Sequence, residues 1–146
     1  MVTIKFKKLH PDAVTPTKAN PTDAGFDLTA IGWKVSDDHT YIEYSTGIAV
    51  EMPENYVGLI FPRSSVSRVQ QVLANCVAVI DAGYRGELIL RYRETWRGAH
   101  FEPNTYKVGE KIGQIVFMPL PAVELVEVKE LSNSDRGEGG FGSSGK

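Results

Sequence analysis

Cysteine is almost absent from this sequence: Cys76 is the only one among 146 residues. A single cysteine excludes an intramolecular disulfide and is typical of proteins from reducing compartments. Because Cys76 lies in an apolar run, we expect a small buried side chain rather than a nucleophile. No apolar run is long enough to span a membrane, and residues 1–5 lack the apolar core of a signal peptide. We therefore expect a soluble, cytoplasmic protein with no membrane partner, or for a viral protein one that works inside the host cell.

Basic charge is not in excess either, since the formal net charge is −2. Binding to a nucleic acid backbone requires concentrated basic charge, so we expect no nucleic acid partner. A small anionic ligand held by a few local arginines stays compatible with this composition. The histidines are scattered without the spacing of a zinc site, and no Ser-His-Asp or Cys-His set is visible. The sequence thus offers no visible nucleophile for covalent catalysis.

What the sequence does contain is a series of short apolar runs separated by glycine and proline. The length is that of one domain with a single core. Many short strands with such punctuation indicate an all-β barrel or sandwich. The predicted strands are 2–8, 33–35, 41–44, 47–51, 56–61, 76–80, 88–90, 112–118 and 123–128.

One segment departs from the strand pattern. Its apolar residues recur at i, i+3, i+6 and i+7 over 65–73, which predicts a short helix with a serine at its N-cap. Helix N-termini hold anions, so Arg63, Ser64 and Ser65 predict a phosphate site at its start. An ordinary capped helix beside a surface arginine is an equally open interpretation.

The stretch 75–90 holds two β-branched runs on either side of a turn rich in glycine and aspartate. This pattern predicts a β-hairpin, in which glycine supplies the positive φ of a tight reversal. Asp81 and Tyr84 lie beside glycines that permit a ligand to approach the backbone closely. A purely structural turn would carry the same residue types, so the stretch alone leaves both interpretations open.

The C-terminal tail, 132–146, holds five of the fourteen glycines within its last ten residues and has no apolar period. We predict a barrel domain over 1–131 and a flexible glycine-rich lid over 132–146. A disordered terminus is the alternative interpretation, although the bulky Phe141 has no evident structural use in such a tract. Gln114, in the apolar run 112–118, carries little weight by itself.

Five segments of the chain resemble, in order, the five motifs of the trimeric dUTP diphosphatases (dUTPases). They are 23–28, 62–65, 75–87, 109–114 and 136–145, so the resemblance covers nearly the whole sequence. It implies a distorted jelly-roll β-barrel with one short helix, assembled as a homotrimer whose active sites lie between subunits. It also implies hydrolysis of dUTP to dUMP and pyrophosphate with Mg²⁺ as cofactor.

The resemblance further implies roles for individual residues. The Asn75 side chain and the backbone of 76–80 would read the base, and Tyr84 would lie under the sugar. Asp81 would activate the attacking water as a general base, and Asp27 would hold the water shell of the metal. The remaining substrate-binding set comprises Arg63, Ser64, Ser65 and Gln114 for the phosphates, and Arg136, Phe141, Gly142, Ser143 and Ser144 from the tail of another subunit.

Two alternatives stay open beside this interpretation. A dCTP deaminase shares the resemblance through the hairpin, but the position of its catalytic glutamate holds Arg91 here, which does not deprotonate in proteins. A regulatory protein of the same fold would bind the nucleotide as a signal rather than as a substrate. Gly83 and Ser65 also depart from the residues that many dUTPases carry at these positions.

Overall fold

The computed structural model describes residues 1–95 and 104–140, which form ten strands and one short 3₁₀ helix. The strands predicted over 33–35, 41–44, 47–51, 56–61 and 112–118 are confirmed to within one residue at each end. In chain order the strands are β1 (Lys5–Lys8), β2 (Phe26–Thr29), β3 (Gly32–Val35), β4 (Ile42–Ser45), β5 (Ile48–Glu51), β6 (Tyr56–Phe61), β7 (Gln71–Leu73), β8 (Ala78–Ile80), β9 (Ile89–Glu94) and β10 (Lys111–Pro119).

Two four-stranded antiparallel sheets enclose a single core, which confirms the predicted all-β jelly roll. One sheet has the order β2-β10-β6-β8 and the other has the order β3-β4-β9-β7, while β1 pairs with β5. Burial alternates residue by residue along β7 and β9, as the period of a β-strand requires, whereas β2, β4 and β5 each bury three consecutive residues. The core therefore draws on both sheets, with Leu28, Ile60 and Ile112 from the first and Leu90 and Tyr92 from the second.

Three tyrosines form the aromatic centre of this core. The rings of Tyr44, Tyr92 and Tyr106 meet edge to face, with centroids 5.4 to 6.2 Å apart. Their hydroxyls are buried, and burial raises the pKa of all three phenols. The Tyr44 hydroxyl lies 3.1 Å from Nε2 of the buried Gln71, and Tyr92 donates to the Ile112 carbonyl. The first bond lies within the second sheet and the second joins the two sheets, and both satisfy polar groups that would otherwise be costly to bury.

The helix predicted over 65–73 is wrong in type and in extent. A 3₁₀ helix covers only Ser64–Arg68, and β7 begins at Gln71. The N-cap residue is Arg63 rather than a serine, and its side chain makes no capping hydrogen bond. Pairing of β7 with β9 and burial of Gln71 override the helical spacing of the valines. Among the described residues, no helix has the length and hydropathy that crossing a bilayer requires.

The predicted hairpin is also wrong, because its two strands pair with other partners. β8 pairs with β6 in one sheet, whereas β9 pairs with β4 and β7 in the other. The positive φ in this stretch belongs to Cys76, at 59°, and not to a glycine. Cys76 is exposed in the described chain, so the expectation of a buried cysteine is wrong as well.

The strand predicted over 123–128 does not form within the described chain. Its apolar residues are exposed instead, and the Leu125 side chain is 94% accessible. Val123, Val126, Val128 and Leu131 share this exposure. A segment whose apolar side chains stay exposed among the described residues is a candidate for contact with another chain.

A buried carboxylate links the strands of the second sheet. Glu43 on β4 receives Lys34 Nζ at 3.0 Å and Arg91 Nε at 2.8 Å, from the neighbouring strands β3 and β9. Burial by itself raises the pKa of Glu43, but the hydrogen bonds from both cations outweigh it and hold the pKa below its usual value. The ionised form of Glu43 therefore stabilises the fold.

We expect Glu43→Gln to lower the free energy of unfolding at neutral pH by about 1–3 kcal/mol, the loss typical of a charge-assisted hydrogen bond. Because the folded-state pKa of Glu43 is lowered, its contribution is present above the ordinary pKa near 4.5 and is lost as pH falls through the folded-state value. The variant should therefore lose less stability than the parent between about pH 6 and pH 3 in urea unfolding curves.

The exposed Glu54 provides the control, since Glu54→Gln should leave both the stability and its pH dependence unchanged. An equal loss of stability on acidification in the parent and in Glu43→Gln would contradict this role of Glu43.

Candidate functional site

A cavity of about 550 Å³ lies between β8 and β9. Asn75, Asp81 and Tyr84 all line it, although they come from the segments before and after β8. The structure thus brings together the three side chains that the family resemblance assigns to the base, the water and the sugar. Apolar side chains form much of the remaining wall, among them Leu73, Val79, Ile80, Ile89 and Leu90.

The cavity exists because β8 and β9 diverge. β8 is the last strand of its sheet, so one of its edges has no strand partner within the described residues. β7 pairs with β9 only from Tyr92 onward, which leaves residues 89–90 without a strand partner on that side. Unpaired backbone N–H and C=O groups at a strand edge are ready to bind an added hydrogen-bonding group. Because β8 and β9 do not pair with each other, an opening for a flat polar ligand remains between them.

A tight turn fixes Asp81 and Tyr84 at the mouth of this cavity. The Tyr84 backbone N–H donates to the Asp81 carbonyl at 3.0 Å, and the Tyr84 hydroxyl donates to the Glu87 carbonyl at 3.0 Å. A Cβ on Gly86 would lie 2.3 Å from the Tyr84 hydroxyl oxygen, so glycine is required there for the ring to fold back. With 43% of Tyr84 exposed, the ring remains available for contact with a ligand.

Sequence reasoning missed two basic residues and one aromatic residue of this cavity, Arg91, Arg93 and Tyr41. Arg91 and Arg93 occupy alternate positions of β9, so both point away from the core. The Arg91 guanidinium lies over the Tyr41 ring at 4.8 Å from its centroid while Nε pairs with Glu43. The alternation of arginine with leucine and tyrosine in 90–93 was the available signal for this arrangement.

A second, smaller cavity of about 130 Å³ collects the residues predicted to contact phosphates. Arg63, Ser64 and Gln114 line it together with Asp27 and Gly25. Gln114 lies on β10 opposite Asp27, and its Nε2 donates to the Pro62 carbonyl at 3.2 Å. A Cβ on Gly25 would lie 2.4 Å from Gln114 Oε1, so the backbone there approaches the amide closely. No described residue lines both this cavity and the larger one.

The Asp27 carboxylate is the electrostatic centre of the small cavity. Its Oδ1 accepts from Arg63 Nε at 2.8 Å and its Oδ2 accepts from Lys111 Nζ at 2.7 Å, while only 9% of the side chain is exposed. A buried carboxylate without partners would be strongly destabilising, so this pairing holds both cations in place. Lys111 is a residue that sequence reasoning did not connect with the site.

This donor set fits a magnesium ion that is carried by a substrate and reached through water. Both Asp27 oxygens already accept from cations, and no cluster of three or more His, Cys, Asp or Glu side chains that suits a metal occurs in the described ranges. Mg²⁺ commonly binds through few carboxylates while it keeps several waters and the phosphates of a ligand. Direct coordination by a protein cage does not fit the residues present in these ranges.

The remaining predicted residues lie elsewhere. Ser65 lines a third cavity with Tyr106, and both hydroxyl oxygens are buried without a hydrogen-bond partner among the described residues. Arg136 is exposed in a turn of the tail, where its Nε donates to the Gly139 carbonyl at 2.9 Å. The predicted residues Phe141, Gly142, Ser143 and Ser144 lie outside the described residues.

Comparison with known proteins gives one consistent family. The sequence model of the dUTPase family matches residues 12–145. The deoxyuridine 5′-triphosphate nucleotidohydrolase of Clostridium tetani is 41% identical over 146 residues, which cover 99% of this chain and 97% of the relative. The match thus runs through every segment that carries the resemblance.

Solved structures agree with the sequence comparison. The Staphylococcus bacteriophage 80alpha dUTPase with dUpNHpp has a TM-score of 0.84 and 32% identity, and the alignment covers 99% of each chain. A variant of the dUTPase from phage phi11 of S. aureus, described as revealing the coordination of a structural Mg(II) ion, has a TM-score of 0.75 and 27% identity over 90% of this chain and 99% of that one. The chain therefore belongs to the dUTPase family.

Proposed function

We propose that this protein hydrolyses dUTP to dUMP and pyrophosphate by attack of water on the α-phosphorus, assisted by Mg²⁺. The observation that supports this most is that Asn75, Asp81 and Tyr84 line one cavity in a chain of this family. The relatives named above are deoxyuridine triphosphate hydrolases, which favours the same substrate here. The proposal requires a base pocket, a general base and a phosphate-binding region, and each has a structural candidate.

The cavity between β8 and β9 is the proposed pocket for uracil and deoxyribose. The free edge of β8 and the Asn75 side chain would hydrogen-bond the base edge. The methyl group of thymine would obstruct this contact sterically, and the reversed donor pattern of cytosine would leave buried polar groups unpaired. The Tyr84 ring would lie against the sugar and leave no room for a ribose 2′-hydroxyl.

Asp81 is the proposed general base. Its carboxylate would accept the proton of a water whose oxygen attacks the α-phosphorus, while the bond to the bridging oxygen breaks and pyrophosphate leaves. Such in-line displacement depends on positioning and on charge stabilisation rather than on a covalent intermediate. Asp81 is exposed at the cavity mouth, so a water molecule and a substrate both have access to it.

The small cavity is the proposed binding region for the phosphates. Arg63, Ser64 and Gln114 would donate to phosphate oxygens there, and Ser65 would add a hydroxyl from the third cavity, which Arg63 also lines. Mg²⁺ bound to the phosphates would neutralise their charge and polarise the phosphoryl oxygens, and Asp27 would contact its water shell. Because Asp27 already pairs with Arg63 and Lys111, its contact with the ion would pass through water only.

A homotrimer with shared active sites is the proposed assembly. The two cavities share no lining residue within the described chain, and the apolar tail segment 123–131 is exposed there. Both observations are explained if one copy supplies the base pocket and another supplies the phosphate region or the tail. In this assembly the barrel, 1–131, would be closed by the lid, 132–146, of another subunit. Arg136, Phe141, Gly142, Ser143 and Ser144 would then stack on the base and cover the γ-phosphate.

Two alternative functions can be distinguished from dUTP hydrolysis by experiment. A dCTP deaminase would need an acid–base residue at position 91, where the Arg91 guanidinium instead pairs with Glu43. A nucleotide-dependent regulatory protein is favoured by one observation: the 80alpha dUTPase is described as controlling transfer of virulence genes by a G protein-like mechanism. A regulatory role is compatible with hydrolysis of dUTP, whereas binding of the nucleotide without turnover is not.

The first test supplies the purified protein with dUTP and Mg²⁺ and follows pyrophosphate release, with dCTP, dTTP and UTP in parallel. We expect pyrophosphate from dUTP alone and no ammonia from dCTP. Ammonia release would establish the deaminase alternative. Tight binding of dUTP without any turnover would establish the pure regulatory alternative and refute the proposal.

Asp81→Asn tests the proposed base, because an amide cannot accept the proton of the attacking water. We expect kcat to fall by about 10²–10⁴-fold, the usual contribution of general base catalysis. Affinity for a non-hydrolysable α,β-imido analogue of dUTP, measured by calorimetry, should stay within about threefold, a change below 1 kcal/mol.

Asp37→Asn is the matched control, since Asp37 is exposed and lies outside both cavities. Its kcat should equal that of the parent. A kcat for Asp81→Asn close to the parent value would remove Asp81 as the base.

Deletion of 136–146 tests the lid. The truncated chain should keep its thermal unfolding midpoint, because the deleted residues lie beyond the strands of the barrel. Turnover should fall by at least about tenfold, since bulk water would then reach the site. An unchanged rate in the truncated chain would refute the lid.

Co-expression of the truncated chain with Asp81→Asn shows whether the lid acts between subunits. Neither chain alone has both an intact base and a lid, but a mixed assembly joins the base of one to the lid of the other. We therefore expect recovered activity in mixed assemblies. No recovery, in assemblies shown by mass spectrometry to contain both chains, would mean that the lid closes over its own subunit.

A further inference from the structure

A one-residue irregularity in the pairing of β10 with β2 changes which side chain of β10 lies on the same face as Asp27. The register is regular at its start, with Gln114 opposite Asp27 and Gly113 opposite Leu28. It then shifts, so that Lys111 rather than Ile112 lies opposite Thr29. This is a β-bulge, in which one strand contributes an extra residue.

The bulge exchanges the faces of two neighbouring side chains. Without it, Ile112 would share the face of Asp27 and Gln114, and Lys111 would point into the core, because residues alternate along a strand. With it, Ile112 is 0% exposed in the core, and Lys111 moves to the face of Asp27. The Lys111 Nζ then reaches Asp27 Oδ2 at 2.7 Å.

This arrangement gives the buried Asp27 two cations instead of one. Arg63 alone would leave a neutral pair, whereas Arg63 and Lys111 together give the group a net charge of +1. The ion pair brings the Nε of Arg63 to 2.8 Å from Asp27 Oδ1. The guanidinium also carries two terminal nitrogens, and its planar fork suits a doubly held oxyanion.

We propose that Lys111 is a positioning residue for the phosphates: the bulge places it on Asp27, which thereby fixes the Arg63 guanidinium in a region of net positive charge. This inference rests on the proposed function and deepens it, by adding to the phosphate region a residue that does not itself line the small cavity. Lys111 acts through Asp27 and Arg63 and need not touch the substrate.

Lys111→Met is the direct test, since methionine keeps most of the length and apolar stem of lysine and removes the ammonium group. We expect the KM for dUTP to rise about tenfold, as for the loss of one charge-assisted hydrogen bond to a buried carboxylate, while kcat falls less than threefold. Lys111→Arg keeps the charge and the reach to Asp27, so it should restore the KM to within about threefold of the parent.

Lys34→Met is the matched control, because Lys34 is also one of two cations on a buried carboxylate, Glu43, and lies 3.0 Å from it. We expect Lys34→Met to leave the KM for dUTP unchanged, even if its thermal unfolding midpoint falls as far as that of Lys111→Met. Equal KM values for Lys111→Met and the parent, or no rescue by Lys111→Arg, would overturn the role of Lys111.

A binding measurement separates this inference from the proposed hydrolysis. Inorganic triphosphate should bind the parent protein in calorimetry, and about tenfold more weakly after Lys111→Met. Equal affinities, or no binding to the parent, would overturn the inference whether or not dUTP is hydrolysed. Absence of dUTP turnover by the parent, together with the expected difference in triphosphate affinity, would refute the proposed function alone.

Discussion

The proposed phosphate-binding region depends on one constraint, the buried carboxylate of Asp27. A carboxylate with 9% of its side chain exposed must be paired, because an unpaired buried charge would cost several kcal/mol. Strand β10 lies between β2 and β6, and its bulge brings Lys111 to Asp27 as the first cation. Arg63 supplies the second cation from the segment just after β6. Pairing of one buried charge thus fixes the positive groups that a polyphosphate needs.

The proposed base pocket depends instead on backbone groups that have no strand partner within the described residues. β8 and β9 join different sheets, and within the described residues the outer edge of β8 and residues 89–90 of β9 have no strand partner on the side where a cavity of about 550 Å³ opens between them. Tyr84 folds back over Gly86 and, with Asp81, borders the mouth of that cavity. Since no described residue belongs to both cavities, a site made from two copies explains both halves together. The exposed apolar residues of 123–131 are consistent with such an assembly.

The sequence predicted the fold class and most strands, because alternation and turn residues are local signals. It failed where tertiary pairing decides the outcome. The spacing of Val66, Val69 and Val72 suits a helix as well as a turn followed by a strand, and only the pairing of β7 with β9 separates the two. Asp81 and Tyr84 were found from their turn chemistry and from the family resemblance. Lys111 was missed because a one-residue bulge leaves no trace in the apolar pattern of 111–118.

The central claim is that one nucleotide is bound by both cavities, contributed by more than one copy of the chain. The most direct measurement is a crystal structure of the assembly with Mg²⁺ and the α,β-imido analogue of dUTP. The account predicts uracil between β8 and β9, with the α-phosphorus near Asp81 and phosphate oxygens within hydrogen-bond distance of Arg63 and Gln114 from a different copy. A nucleotide bound elsewhere, or one whose base and phosphates contact a single copy only, would contradict it.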